Sequence, residues 1–362
     1  MRVLVLTPYA YGTVPGPRSS FELWERVLRE SDIHLDYLVF ESDGLRDVLY
    51  ERGRVPTKAW EMARSYAHFA PRAIRRAREY DAVLVNREAT LIGPAVVERL
   101  VARTGVPLIY LIDDPLYIPY RSPSNGWLSY LKCFGKVKSL CRISTTVLVN
   151  SPSHERFARL YNDNVWEIPS VVDGDLYTGW APRVGFEDGA VRIGWTGSAT
   201  TAQNLQVIAG PLAALGRLGD VELRFIGALD FDLPRVPHTA LPWRASSEVE
   251  DLRSFDVGLL PLPRTPWTPH KFYLKLVQYM ALGIPPVATP LGSNPILIQE
   301  GVTGFLADSD AEWTAKLERL IANAELREQV GRRASELALS RYTLQANAER
   351  IVAAFRSSVA GR

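Results

Sequence analysis

Of the chain's 42 basic residues only seven are lysines, and two of them, Lys271 and Lys275, fall together in the segment FDVGLLPLPRTPWTPHKFYLKLVQYMALGIPPVATPLGSN. An apolar run ending at Pro261 reads as a buried strand, a proline-rich loop follows, and a helix then stops at Gly283 ahead of Pro285. If that helix extends back to Lys271, then Lys271, Lys275 and Gln278 lie within about 60° of one another around its axis, with Phe272, Leu276 and Met280 opposite. Two lysines at a helix N-terminus oppose the helix dipole unless an anion compensates, so the pattern points to a phosphate site. The alternative is a solvated stripe on an amphipathic helix.

Other candidates also follow apolar runs. RIGWTGSATTAQNLQVI reads as a strand ending near Thr196, then Gly197, Ser198, Thr200 and Thr201, then a helix. Small residues there let an anion approach the helix start, and the alternative is a Ser or Thr N-cap without ligand. The first apolar run ends in PYAYGTVPGPRSSFELWERVL, where Gly12 and Gly16 precede a helix opening at Ser19 or Ser20. Such a loop can present N–H groups to an anion, with Arg18 as its natural partner, or it is an ordinary turn. It has neither the G-x-G-x-x-G spacing nor the lysine of a nucleoside-triphosphate loop, which argues against dinucleotide and ATP sites. Arg87 and Glu88 follow a later strand, and Asp113 and Asp114 follow the next. Adjacent carboxylates at a strand end can bind a metal, accept hydroxyl hydrogen bonds or act as a general base. The alternative is that one caps a turn and the other pairs with an arginine. A metal is disfavoured, because there are only five histidines and none lies at ligand spacing with a third carboxylate.

The elements that must hold these residues alternate short β-branched runs with helix-length stretches, the rhythm of a parallel sheet covered by helices. Strands are expected at 3–7, 35–40, 82–86, 107–112 and 145–149, with 164–173 closing the series in an exposed turn. A second series follows at 192–197, 221–227, 256–262 and 285–290, and from Ser309 the pattern is purely helical. The expected architecture is α/β: two doubly wound, Rossmann-like domains, 1–175 and 176–344, facing a central cleft. Ligands of open parallel sheets bind beyond the carboxyl ends of the strands, where the candidates fall.

Composition restricts the partners. A net charge of +2 over 362 residues gives no bulk argument for nucleic acid. Eight basic residues against Glu61 alone lie between Arg52 and Arg78. Five more, with no acid, lie between Arg121 and Arg142 among Trp127, Tyr130 and Phe134. These stretches read as a solvated basic face or as a peripheral membrane contact. Cys133 and Cys141 match no disulfide framework or common zinc spacing, which suits a reduced cytoplasmic chain. The first residues read as a strand rather than a signal peptide, and no apolar run is long enough to span a bilayer.

In DVGLLPLP, KLVQYMALGIPPVATPLGSN and EGVTGFLADSDAEWTAKLERLIANAELREQVGRRA the chain resembles the bacterial branch of the retaining, nucleotide-sugar-dependent glycosyltransferases of family 4. VLVNREATLIGP, LIYLIDDPLY, RIGWTGSATTAQNL and the closing RYTLQANAERIVAAF extend the likeness over nearly the whole sequence. The resemblance implies the GT-B fold, with 345–362 crossing back as a helix to an acceptor-binding first domain, and a donor-binding second domain. It implies transfer of a hexose-type sugar from a nucleoside diphosphate to a glycan, lipid-linked or small-molecule hydroxyl, without metal or other cofactor. The location implied is cytoplasmic or against the inner membrane face. The family's paired glutamates, eight positions apart, are replaced here by His270 and Gln278, and its Arg and Lys pair after the first strand of the second domain is missing. Lys271 and Lys275 are the substitutes for neutralising the diphosphate, with the Gly197 and Ser198 amides. Gln278 takes the ribose, Trp243 the nucleobase, and Thr196, Gly12 and Gly16 complete the donor set. Asp113 or Asp114 replaces the family's histidine, forming a catalytic group with His270 and Lys275, while Arg18 and Arg87 face the acceptor. An epimerase on the same fold and a non-catalytic sugar-nucleotide-binding protein are the alternatives.

Overall fold

The computed structural model describes residues 1–49, 51, 53–120, 126–177, 189–216, 221–229 and 238–360. The chain forms two compact units, one of Met1–Pro169 with Asn347–Arg362 and one of Ser170–Ala346. Their division falls at Pro169, ahead of the expected 175, and part of the expected boundary region lies outside the described residues.

In the first unit six strands pair in parallel: β1 (Arg2–Thr7), β2 (His34–Val39), β3 (Ala82–Asn86), β4 (Leu108–Ile112), β5 (Thr146–Val149) and β6 (Val165–Glu167), in the order β2-β1-β3-β4-β5-β6. Residues 165–167, expected in an exposed turn, instead add the edge strand, because Val165 pairs with Val147 and covers the end of the sheet. Val3–Leu6, Val83–Val85 and Leu108–Ile112 are all nearly solvent-free, since helices cover both faces of a parallel sheet. The second unit has β7 (Val191–Thr196), β8 (Val221–Ile226), β9 (Thr239–Leu241), β10 (Val257–Leu260), β11 (Pro286–Ala288) and β12 (Phe305–Leu306), ordered β12-β11-β10-β7-β8-β9 and also parallel.

Both orders reverse direction beside the first strand of the unit, between β1 and β3 and between β7 and β10. Crevices at such reversals, outside the carboxyl strand ends, are where open α/β sheets take ligands. The helix Leu344–Ser357 starts in the second unit and carries its residues from Asn347 onward into the first. There Ile351 and Phe355 are buried, and Arg356 donates to the Ser31 carbonyl at 3.3 Å. Among the described residues no helix is long and apolar enough to cross a membrane.

Candidate functional site

At the β7/β10 reversal the chain leaves β7 through Gly197. A Cβ at Gly197 would stand 2.4 Å from Lys275 Nζ and 2.5 Å from the Trp195 ring, so only glycine lets the ammonium and the strand end meet. Gly227, at the end of β8 with φ +81°, closes the other side, since a Cβ there would be 2.0 Å from the Gly197 carbonyl oxygen and 3.2 Å from Trp243 Cβ. Lys275 Nζ lies 4.7 Å from the Trp195 ring centroid and donates to Thr201 Oγ1 at 3.4 Å. Lys275 is half-buried, so packing against these groups removes part of its water, and the charge of Lys271 repels it. Together they push the Lys275 pKa down to about 7. Among the described residues no carboxylate forms an ion pair with Lys275, whereas the cations of the unit's strands, Arg192 and Arg224, both pair with Glu222.

The helix carrying Lys275 is Leu274–Ala281, preceded by a short 3₁₀ turn at Thr268–His270 and an extended Lys271. The expected continuous helix from Lys271 is therefore corrected, and the two lysines share no helical stripe. They approach because the chain at Lys271 is pinned from outside: its carbonyl accepts from Ser293 N–H at 3.1 Å, and Gly292 leaves the room. The two backbone amides expected to hold an anion are already occupied. Gly197 N–H donates to the Ile226 carbonyl at 3.0 Å, and Ser198 N–H donates to Thr201 Oγ1 at 3.2 Å in a capping box. Ser198 thus acts as the N-cap of the alternative reading. Thr196 is buried and donates its N–H to the Tyr279 hydroxyl. Gln278 is buried too, its amide nitrogen donating to the Tyr177 hydroxyl at 2.8 Å. His270 is half-buried in the 3₁₀ turn. Trp243 is partly exposed beyond Gly227, its indole N–H fixed to Glu248 at 3.0 Å.

In the first unit the β1/β3 reversal holds a second cluster. Arg87, in a left-handed conformation (φ +59°) just after β3, donates to Asp113 Oδ1 at 2.6 Å and pairs with Asp114 Oδ2 at 2.7 Å. Burial alone would lower the Arg87 pKa, but the two facing carboxylates outweigh it and hold it above its ordinary value. Both aspartates are therefore bound to one arginine, which extends the alternative in which one of them is. Asp113 Oδ2 is left buried with no hydrogen-bond partner among the described residues, and so are both amide atoms of Asn86 at the end of β3. Gly16 roofs the cluster, where a Cβ would meet Arg87 Nη2 at 2.4 Å and Asp113 Oδ2 at 2.8 Å. Gly12 does not offer its amide as expected, because its N–H donates to the Glu22 carboxylate at 3.1 Å. Arg18 is half-buried at the end of the short helix Pro15–Arg18.

The segment that supplies the Lys275 environment, residues 191–323, matches the family model of glycosyl transferases group 1. No curated protein sequence matches the chain. Solved structures match its whole length. Anabaena HepE in complex with UDP-glucose is 18% identical with a TM-score of 0.70, covering 99% of this chain and 100% of that one. Sucrose-phosphate synthase of Thermosynechococcus elongatus is 14% identical with a TM-score of 0.69, covering 100% and 99%. A glycosyltransferase of Rickettsia africae is 13% identical with a TM-score of 0.65, covering 100% and 99%. The chain has the GT-B fold.

Within that fold the donor-side candidates Thr196, Gly197, Ser198, Lys271, Lys275 and Trp243 gather around the β7/β10 reversal. Arg87, Asp113, Asp114 and Gly16 gather at the β1/β3 reversal of the other unit. Two buried groups escaped the sequence reading. Lys136 Nζ is 2.5 Å from Glu88 and donates to the Thr90 carbonyl at 3.2 Å, and the Ala89 N–H donates to Glu98 at 2.9 Å. They hold the loop after Arg87 from below. The rarity of lysine marks Lys136 as much as Lys275, while Glu98 carries no sequence signal. Among the described residues no group of three or more His, Cys, Asp and Glu is arranged to hold a metal ion.

Proposed function

We propose that this protein is a retaining glycosyltransferase that moves a hexose-type sugar from a nucleoside diphosphate to a hydroxyl on a glycan, lipid-linked or small-molecule acceptor. The group 1 match over residues 191–323 and the GT-B architecture support the broader reading of a nucleotide-sugar glycosyltransferase. One observation carries the site assignment: Lys275 is a half-buried cation packed on Trp195 and Gly197, beside a second cation and without a carboxylate partner among the described residues, at the ligand end of the sheet. A protein keeps such a charge where an anion is to arrive.

Breaking a sugar–phosphate bond builds charge on the departing diphosphate, and preorganised cations stabilise that charge. In this reading Lys275 holds the diphosphate, with Lys271 and the Thr201 hydroxyl beside it, and no metal is used. Trp243 offers an apolar face to the base, and Gln278 reaches the ribose once its Tyr177 bond exchanges. The acceptor hydroxyl attacks from the face the diphosphate leaves, a phosphate oxygen takes its proton, and the anomeric configuration is kept. Asp113, whose buried Oδ2 lacks a donor among the described residues, orients a hydroxyl once the Gly16 turn gives way. HepE is solved with UDP-glucose, so UDP-glucose heads the donor panel. The test is nucleoside diphosphate release from UDP-, GDP-, ADP- and TDP-sugars with pooled hydroxyl acceptors. Acceptor-dependent release with a retained anomeric configuration is expected. Sugar interconversion without acceptor would identify an epimerase, and nucleotide binding without turnover a non-catalytic binder.

A further inference from the structure

The sequence holds two basic stretches, and the structure separates them. In the second, Lys136 is buried against Glu88, while Lys138 and Arg142 lie over the Tyr161 ring at 5.3 and 4.9 Å. Arg121 and the Trp127 side chain lie outside the described residues. Its described cations are largely used within the fold. The first stretch is different. It forms the helix Val55–Ala77, 23 residues and about 35 Å long at 1.5 Å per residue. One face of this helix packs on the core through Ser65, Phe69, Ala73 and Ala77. At 100° per residue Trp60, Arg64, Arg75 and the following Arg78 fall within about 60° of one another on the outer face, flanked by His68 and Arg72.

That outer face is charged with one sign. Glu61 is the helix's sole carboxylate; it accepts from the Ser42 hydroxyl at 3.4 Å, and its one ion pair among the described residues is with Arg64, at 3.9 Å. Arg72, Arg75 and Arg78 make no ion pair among the described residues, so the stripe keeps a net positive field. Apolar groups stand at its N-terminal end, where Trp60 is 69% exposed and Val55 54% exposed. A nucleic acid would satisfy the cations but has no use for an apolar end on a convex helix, and the net charge of +2 gives no wider basic footprint. An anionic bilayer satisfies both: arginines engage phosphate headgroups while a tryptophan seats at the interface.

We propose that the outer face of the helix Val55–Ala77 docks the protein on anionic lipid surfaces, with Arg64, Arg72 and Arg75 on the headgroups and Trp60 as the interfacial anchor. This stands apart from the donor chemistry proposed above, and its test reads no catalysis. The protein is sedimented with vesicles of phosphatidylcholine alone and with equimolar phosphatidylcholine and phosphatidylglycerol, at low and high salt. Binding to the anionic vesicles, released by salt and absent from the neutral ones, is expected. Each arginine removed lowers the partition coefficient about fivefold, so Arg64→Gln, Arg72→Gln and Arg75→Gln together lower it about a hundredfold. Trp60→Ser lowers it several-fold and shifts no other property. All four positions are exposed, and unchanged circular dichroism and thermal midpoints confirm that the variants fold. Equal partitioning of wild type and the triple variant overturns the proposal. So does binding of the wild type to duplex DNA with none to anionic vesicles.

Discussion

The charge state of Lys275 should govern donor affinity. Its ordinary value of 10.5 is pushed down to about 7 by desolvation and then by Lys271. A bound diphosphate opposes both effects and raises the value again, so the donor binds the protonated form more tightly and binding takes up a proton near and above pH 7. With a free-protein value of about 7, the charged fraction is about 0.9 at pH 6 and about 0.1 at pH 8, and the apparent Kd for a nucleoside diphosphate weakens about tenfold across that interval. The proton taken up per complex is about one half at pH 7 and close to one at pH 8. Isothermal titration calorimetry in buffers of different ionisation enthalpy reads both quantities at once. Lys271→Met removes a repelling charge and should move the inflection to higher pH, whereas Lys275→Met should abolish it. A Kd that is flat from pH 6 to pH 8, or titrations whose heats do not depend on the buffer, would refute the reasoning.

The same shift affects the ligand-free protein with a definite sign. Because the folded value lies below the unfolded one, the unfolded chain binds more protons between about pH 7 and pH 10.5, so Lys275's contribution to stability improves as pH rises through that window. The difference in thermal midpoint between wild type and Lys275→Met should therefore shrink from pH 7 to pH 10, and a constant difference speaks against the shift. Gly197→Ala places a Cβ 2.4 Å from Lys275 Nζ, so nucleotide affinity should fall at least tenfold, with a stability loss of about 1–3 kcal/mol from the crowded Trp195 ring. Unchanged affinity by calorimetry would remove Gly197 from the site. Arg87→Met leaves Asp113 and Asp114 without their cation and should cost about 3–5 kcal/mol in urea unfolding, against under 1 kcal/mol for an exposed pair such as Arg332 with Glu328. Lys136→Met should cost about as much, and the paired change Lys136→Met with Glu88→Leu should recover most of it; no recovery would mean that the pair is not the reason.

The parallel sheets were legible in the sequence because their strands are buried on both faces and so read as continuous apolar runs such as AVLVN and LIYLI. Short edge strands were harder. β6 and β12 have three and two residues and sit in segments rich in turn formers. At the candidate site, residue types and strand-end positions were readable, but hydrogen-bond partners were not. Gly12, Gly197 and Ser198 have the small, flexible character of anion-binding loops, yet their amides are used by Glu22, Ile226 and Thr201. Only the partner's position in space reveals this, and for Glu22 and Ile226 it comes from another element. The sequence suggests the Lys271–Lys275 proximity through a helical stripe, whereas it comes from an extended residue held by Ser293. The Arg87 cluster joins residues 26 and 27 positions apart, a distance at which no local periodicity operates.

The most direct test of the central claim, that a nucleoside diphosphate rests on Lys275, is the Kd of UDP and GDP for wild type and for Lys275→Met at pH 6.5, where the lysine is mostly charged. Removing a half-buried cation from a diphosphate should weaken binding of whichever nucleotide the protein takes by at least about thirtyfold, the scale of a lost charge-assisted contact. Equal affinities in the two proteins, for a nucleotide that wild type binds, would contradict the assignment.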